Sequence, residues 1–269
     1  MAGFAPRPLG RTGKLVGPLG LAASFGVGES GVELAHERGV NYFYWGSMRR
    51  SAFGRGLKRV LAKDRAKTQL VIQTYTRLGS LMGLSVRRAL RQLDTDHCDV
   101  LLLGWWNGMP PARITDAAKR LRDAGVVKHI AISTHQRPKV PEFSGVFDVV
   151  HMRYNAVHRG AEKEIFPHIP EARDSRAGVV AFTATRWGHL LKRPSGLPDG
   201  VPVPSAGDCY RFCLTDPHVD NVICGARNDA DVTAACDAMD KGPMSADEVK
   251  WMHQVGDAVR AASTGLRDR

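Results

Sequence analysis

A chain of 269 residues with 43% hydrophobic content can bury a full core, and no run of about 18 apolar residues is present to span a bilayer. The net charge of +11 is spread over helix faces (Arg55, Lys58 and Arg59; Arg87, Arg88 and Arg91) rather than gathered with aromatics in one block. That pattern reads as a solvated basic surface and not as a nucleic-acid footprint, although it equally suits a site that attracts a phosphorylated cofactor or an anionic substrate.

The N-terminus is rich in glycine and arginine without an apolar core of its own, so no signal peptide is read and a cytoplasmic protein without a membrane partner is expected. Residues 9–14 form a tight hairpin leading into a first apolar strand over 16–21. Helical spacing over 30–38 stops at Gly39, and a short strand over 41–45 follows, rich in aromatics. Next come a helix over 50–63, a strand over 69–76, and a helix over 80–93. The run CDVLLLGW over 98–105 is continuously apolar, the mark of a strand covered on both faces. Pro110 and Pro111 open a helix that Gly125 stops. Strands are read over 126–134, 147–154 and 178–185, with a helix over 162–173 whose regularity Pro167 and Pro170 break. A loop rich in proline and glycine over 193–206 leads to a helix over 208–214, a strand over 221–224 and a helix over 229–239. A last helix runs from Ser245, capped by Glu248 three residues on, to Ala262. The five cysteines are odd in number, lack a CxxC and read as reduced, mostly buried thiols; no residue cluster has metal-ligand spacing, so no metal is expected.

Eight strand–helix steps over about 250 residues predict an α/β fold, a (β/α)8 TIM barrel in one domain over 1–269, with an N-terminal β-hairpin and an extra C-terminal helix. An open doubly wound sheet is the weaker alternative, since no G-x-G-x-x-G follows the first strand. In a barrel the chemistry sits where strands end, here at 22–24, 44–47, 75–77, 104–106, 133–135, 154–155, 183–186 and 225–228.

Several of these segments carry family motifs: Leu9-Gly10-Arg11-Thr12-Gly13, Gly39-Val40-Asn41-Tyr42-Phe43, and Leu93-x-Thr95-Asp96-x-x-Asp99-Val100-Leu101-Leu102. Further on stand Gly125-Val126-Val127-Lys128 with Ile132-Ser133, Tyr154-Asn155-x-x-x-Arg159-x-x-Glu162, and Val222-Ile223-x-Gly225-Ala226. In order and spacing the chain resembles the aldo-keto reductase family over nearly its whole length. The resemblance implies a barrel that binds NADP in an extended pose and reduces carbonyls. It also implies a quartet of Asp, Tyr, Lys and His, in which a phenol made acidic by an ammonium protonates the carbonyl. Here the Asp position is Tyr44, the Lys position Tyr75 and the His position Gly104, and no tyrosine stands near residues 48–50 where the proton donor falls. The quartet is gone.

On the cofactor side the resemblance implies that Ser133 and His151 meet the nicotinamide carboxamide and that Phe182 stacks on its ring. Thr183 to Gly188 matches a pyrophosphate loop, in which Arg186 could pair with phosphate, and Gly225-Ala226-Arg227 matches an adenosine segment, with Arg227 suited to a 2′-phosphate. For catalysis, Tyr44 and Tyr75 are candidates for a relocated proton donor, placed at matching depth on neighbouring strands; the plain alternative is that they fill vacated space. Arg49 is a candidate for orienting an anion and His135 for acid–base work, with surface roles as their alternatives. Trp45, Trp105 and Trp106 read as an apolar substrate wall, or as core. The expected activity is an NADP(H)-dependent oxidoreductase acting on a small carbonyl or alcohol through a non-standard site. A non-redox lyase, isomerase, dehydratase or cyclase on the same barrel, or an inactive binding protein, stays open beside it.

Overall fold

The computed structural model describes residues 3–46 and 50–263. A two-stranded antiparallel hairpin, β1 (Arg7–Pro8) and β2 (Leu15–Val16), precedes the main sheet. Eight parallel strands then close into a barrel: β3 (Leu19–Ala22), β4 (Tyr42–Trp45), β5 (Gln69–Thr74), β6 (Cys98–Leu103), β7 (Val127–Thr134), β8 (Val149–Arg153), β9 (Gly178–Phe182) and β10 (Asn221–Cys224). Between and after them lie α1 (Glu29–Glu37), α2 (Ser51–Asp64), α3 (Gly79–Leu93), α4 (Ala112–Asp123), α5 (Val140–Val146), α6 (Ala161–Glu164), α7 (Ala206–Thr215), α8 (Asp229–Met239) and α9 (Ala246–Ala262). This is the expected (β/α)8 TIM barrel with its hairpin and its extra C-terminal helix. Among the described residues no helix is long and apolar enough to cross a membrane.

Side chains alternate across each strand, and this alternation builds two layers of core. Outward-facing residues meet the helices: Phe43 packs edge-on against Phe53 of α2, whose other large buried side chains, Leu57, Val60 and Leu61, follow helical spacing. Inward-facing residues fill the lumen, where Tyr42, Val71, Val100, Leu102, Ala131, Val149 and Val180 form one cluster with Leu9 and Val16 from the hairpin. The hairpin thereby plugs the N-terminal end of the barrel. Its Gly10 lies so close to β9 that a Cβ would stand 2.1 Å from the Gly178 amide.

A repeated hydrogen bond fixes the strand pairing at that same end. Asn41, Asp99, Asp148 and Asp220, at the starts of β4, β6, β8 and β10, each accept a backbone N–H from the preceding strand segment, at Gly17, Leu70, Ile130 and Val179, all at 2.9 Å. Asp220 is fully buried and also binds the buried Arg176 guanidinium through both oxygens, at 2.8 and 2.7 Å.

The sequence reading differs from the structure in three elements. The expected first strand over 16–21 is two strands, separated at Gly17-Pro18. The helix expected over 162–173 is only the short α6, because Pro167 and Pro170 lack the amide donors that a longer helix needs; isolated 3-10 turns carry the chain on. Helix α5 was not anticipated, its seven residues being too few to show a periodic stripe.

Candidate active site at the barrel mouth

Above the apolar lumen, polar side chains replace aliphatic ones on the inward positions of β4, β5 and β8. The Tyr42 hydroxyl lies 2.8 Å from His151 Nε2, both groups being buried. Burial pushes the His151 pKa down to about 3, so a neutral imidazole and a neutral phenol share this bond. One layer higher, the Tyr44 hydroxyl donates to Gln73 Oε1. Burial first, and the Tyr75 phenol second, push the Tyr44 pKa upward. Both causes act against acidity, the reverse of what a neighbouring ammonium does to a catalytic phenol.

Two glycines make room for this layer. A Cβ on Gly46 would stand 2.4 Å from the Tyr44 ring; one on Gly104 would stand 2.4 Å from Gln73 Nε2 and 2.6 Å from the Tyr75 ring. The space that a histidine would need at position 104 is therefore taken by Gln73 and Tyr75. The matching depth expected for the two phenols is corrected here. Across β4–β5 Tyr44 is in register with Val71, which sets Tyr75 four residues further along the chain, exposed, with Gln73 between.

At the ends of β6, β7 and β9 three rings form an edge-to-face row, with Trp105 to His135 at 5.8 Å and His135 to Phe182 at 5.3 Å. His135 is half-buried; burial and then the nearby charge of Arg153 lower its pKa, so it is neutral at pH 7. The Trp105 N–H donates to Ser133 Oγ at 2.9 Å, and the Trp106 N–H to the Ser133 carbonyl at 3.0 Å. Arg77 donates to the carbonyls of Gly104 and Trp105, and its guanidinium lies 3.9 Å over the Trp106 ring. Trp45 does not belong to the wall expected of it. It is an outward residue of β4, buried against Gly54 of α2, with its indole N–H donating to the Arg50 carbonyl at 3.3 Å. Arg49 lies outside the described residues.

The β9 and β10 loops carry the residues expected to meet a dinucleotide. Asn155, fully buried, donates to the Thr183 carbonyl at 2.9 Å, and its Oδ1 accepts the amides of Val157 and His158. Thr183, Arg186, Trp187 and Gly188 all have positive φ, at 61°, 49°, 53° and 85°. Between them the amides of Ala184 and Thr185 make no hydrogen bond among the described residues. Arg186, expected to pair with phosphate, is buried and donates to Ser263 Oγ at 2.8 Å, at the end of α9. Arg227 is exposed but engaged by Asp231 through its Nε at 2.8 Å and its second guanidine nitrogen at 3.2 Å. Gly225 is covered by the Phe25 ring, which a Cβ would approach to 2.5 Å.

Tested against these contacts, the nicotinamide end fits: a partly exposed Phe182 ring, the Ser133 hydroxyl hydrogen and the two amides without a partner among the described residues are present. The 2′-phosphate end fits only once Arg227 leaves Asp231. Four residues of this arrangement carry no role in the sequence reading. Gln73 had a signal, a polar residue at an inward position of an apolar strand. Asn155 stood inside a quoted motif, whereas Phe25 and Trp187 show their exposure only in three dimensions. A separate cleft of about 350 Å³, lined by Met109, Ile130, Val146, Phe147 and the polar rim of α4, opens on the outer wall and not at the mouth.

The fold has close likenesses among solved structures. The holo and apo forms of the aldo-keto reductase AKR11C1 from Bacillus halodurans superpose with TM-scores of 0.77 and 0.75, at 21% identity over 98% of both chains. PA4992 from Pseudomonas aeruginosa superposes with a TM-score of 0.69, at 18% identity over 88% of this chain and 94% of that one. No curated protein matches the chain. The sequence model of the aldo/keto reductase family matches residues 57–197, which run from α2 past the β9 loop and make up slightly more than half of the molecule. With that match lying on a closed eight-stranded barrel, the chain belongs to the aldo/keto reductase family.

Proposed function

We propose that the chain is an oxidoreductase that takes NADP(H) across the β7–β9 side of the mouth and acts on a small carbonyl or alcohol without the family's quartet. The observation that carries this reading is the frame around Phe182. A partly exposed ring ends β9, and the next residue, Thr183, is left-handed and held there by buried Asn155. Such strain persists only where surrounding contacts enforce it, and it gathers at ligand sites. A nicotinamide, when bound, supplies hydride to a carbonyl or takes it from an alcohol.

The chain's own residues do the rest. Phe182 would offer a π face, Ser133 would donate its hydroxyl hydrogen, and the amides of Ala184 and Thr185 would serve as donors for phosphate oxygens. Tyr75 is the phenol that gives up or receives the proton, because the Tyr44 hydrogen is already engaged by Gln73. Neutral His135 donates an N–H to the substrate oxygen, and the positive charge of Arg153 beside it favours the developing alkoxide. Titration with NADPH and with NADH, followed by tryptophan fluorescence, tests the reading. Saturable micromolar binding is expected, and no binding below millimolar overturns it.

A second reading is favoured by one observation: Arg186 and Arg227, the two arginines matched to phosphates, are bonded to Ser263 and Asp231. A non-redox lyase, isomerase, dehydratase or cyclase, or a binding protein, needs neither. Turnover of a carbonyl or hydroxy compound with no nicotinamide present would favour this reading over the first.

A further inference from the structure

Helix α3 leaves apolar side chains in water that the barrel does not use. Leu78, Leu81 and Leu84 are 57%, 49% and 64% exposed, three of the five exposed leucines among the described residues, and they fall within one seven-residue stretch. Leu81 and Leu84 share a stripe with Arg88 and Arg91, at the spacing of a single helix face, while Met82, Val86, Ala89 and Leu93 fill the core on the opposite one. The helix holds no acidic residue, and Arg87, Arg88 and Arg91 make no ion pair among the described residues. Neighbouring α4 adds Arg113 and Arg120, exposed and equally without an ion pair among the described residues. On α2, by contrast, Arg55 and Arg59 are answered by Glu29 and Glu33.

Stability of the helices does not account for this face. The helix dipole favours a cation in the last turn, as at Arg91, but it opposes Arg113, which stands in the first turn of α4 with no acidic residue beside it. Five unanswered guanidinium groups next to bare leucines complement a partner that is anionic and apolar at once. A second copy of the chain is a poor complement, because the carboxylates of its acidic helix α8 are engaged: Asp229, Asp231 and Asp237 are bonded to Ser30, Arg227 and Arg38. The face is also closed to a peptide helix. A Cβ on Gly79 would stand 2.3 Å from the Arg113 carbonyl oxygen and one on Gly83 3.7 Å from Leu121, so α3 and α4 leave no groove between them. A lipid layer needs no groove, since a helix lies on it by sinking apolar side chains to the headgroup boundary with arginines at the phosphates.

We propose that the face of α3 and the adjoining edge of α4 dock on an anionic phospholipid surface, with the three leucines entering the acyl boundary and the five arginines meeting phosphate oxygens. Lying on a surface needs no spanning segment, so the expectation of no membrane partner does not reach this case. Docking does not depend on the chemistry at the mouth. Leu78 stands three residues past Tyr75, however, so the rim of the mouth would lie beside the lipid.

The test is co-sedimentation of the full chain with sucrose-loaded vesicles of phosphatidylcholine alone and of phosphatidylcholine with about one third phosphatidylglycerol. Partitioning onto the anionic vesicles is expected to exceed that onto the neutral ones about tenfold or more. It is expected to fall about tenfold in Leu81→Gln/Leu84→Gln and in Arg87→Gln/Arg88→Gln/Arg91→Gln. Net charge alone also draws a basic protein to such vesicles, so two controls remove like groups elsewhere: Lys192→Gln/Lys241→Gln/Lys250→Gln and Leu15→Gln, each expected to stay within about threefold of the wild type. All the substituted side chains are exposed, and unchanged thermal unfolding checks that the variants keep the fold. Equal partitioning onto the two vesicle types overturns the proposal. So does a lysine variant that loses as much as the arginine variant, which would leave net charge as the whole attraction. A wild type that ignores vesicles but self-associates in sedimentation velocity, with the association lost in the leucine variant, also overturns it and assigns the face to a second copy.

Discussion

Tyr44, Gln73, Tyr75 and Gly104 behave as one packing unit, and the two phenols in it have different prospects. Tyr44 is partly buried, donates to Gln73 and has its pKa pushed up, so it stays a protonated phenol with a satisfied hydrogen. Replacing it with Phe is expected to cost about 0.5–1.5 kcal/mol of stability, measured by urea unfolding, because one net hydrogen bond is lost. Tyr75→Phe removes the exposed phenol. It is expected to lower kcat about a hundredfold with the carbonyl KM little changed, the signature of a lost general acid. A Tyr44→Phe variant with the larger loss of kcat would assign the donor role to Tyr44 instead. His151 supplies a pH test. Its folded pKa of about 3 lies below the ordinary histidine value of about 6.5, so its contribution is intact above that value. As pH falls below about 6.5 the unfolded chain binds a proton that the folded chain refuses, and stability drops by up to about 1.4 kcal/mol per pH unit until about pH 3. His129, His135 and His253 are shifted in the same direction and add to the slope. His151→Gln is expected to narrow the difference in Tm between about pH 7 and about pH 4.5; an unchanged difference would assign the acid lability to the other histidines.

Among the elements, β6 and its loop show how much of the site a strand pattern reveals. The apolar run of 98–103 announces a strand covered on both sides, and β6 is that strand. The pattern says nothing of Arg77, which reaches from the end of β5 to pin the carbonyls of Gly104 and Trp105, since a contact 27 residues away in sequence leaves no local signature. Trp45 and Trp105 were read alike, yet alternation sends the first outward into α2 while the second has left its strand and stands in water. Counting inward positions from Tyr42 would have separated them. At the other end of the barrel the repeated Asx acceptors join neighbouring strands in pairs, and Asp220 also neutralises buried Arg176. Removing one partner of such a pair leaves a charge without compensation in the interior. Asp220→Ala is therefore expected to destabilise the fold by about 3–5 kcal/mol in denaturant unfolding, far more than Asp231→Ala at the exposed Arg227 pair, which solvent screens. Similar losses for the two would mean that the Arg176 site relaxes to admit water.

On the scale of the whole molecule, the barrel was legible because eight apolar strands repeat at regular spacing and each needs a helix to cover it. Which residues stand at the mouth was legible too, from where the strands end. Side-chain direction was not: Arg186 and Arg227 both stand in cofactor-matched loops, yet one turns to α9 and the other to its own helix. With local cations so engaged, the proposed binding of a dinucleotide depends more heavily on the overall charge of +11. That field acts over the screening length and steers an anion without a dedicated contact. NADPH affinity is therefore expected to fall about tenfold between about 0.03 M and about 0.3 M salt, while binding of an uncharged carbonyl compound changes less than about twofold. Equal responses of the two ligands would show that phosphate is not what the basic surface attracts. A steep NADPH response that disappears in Arg227→Gln would return the affinity to one local contact, with Asp231 as the group that the 2′-phosphate displaces.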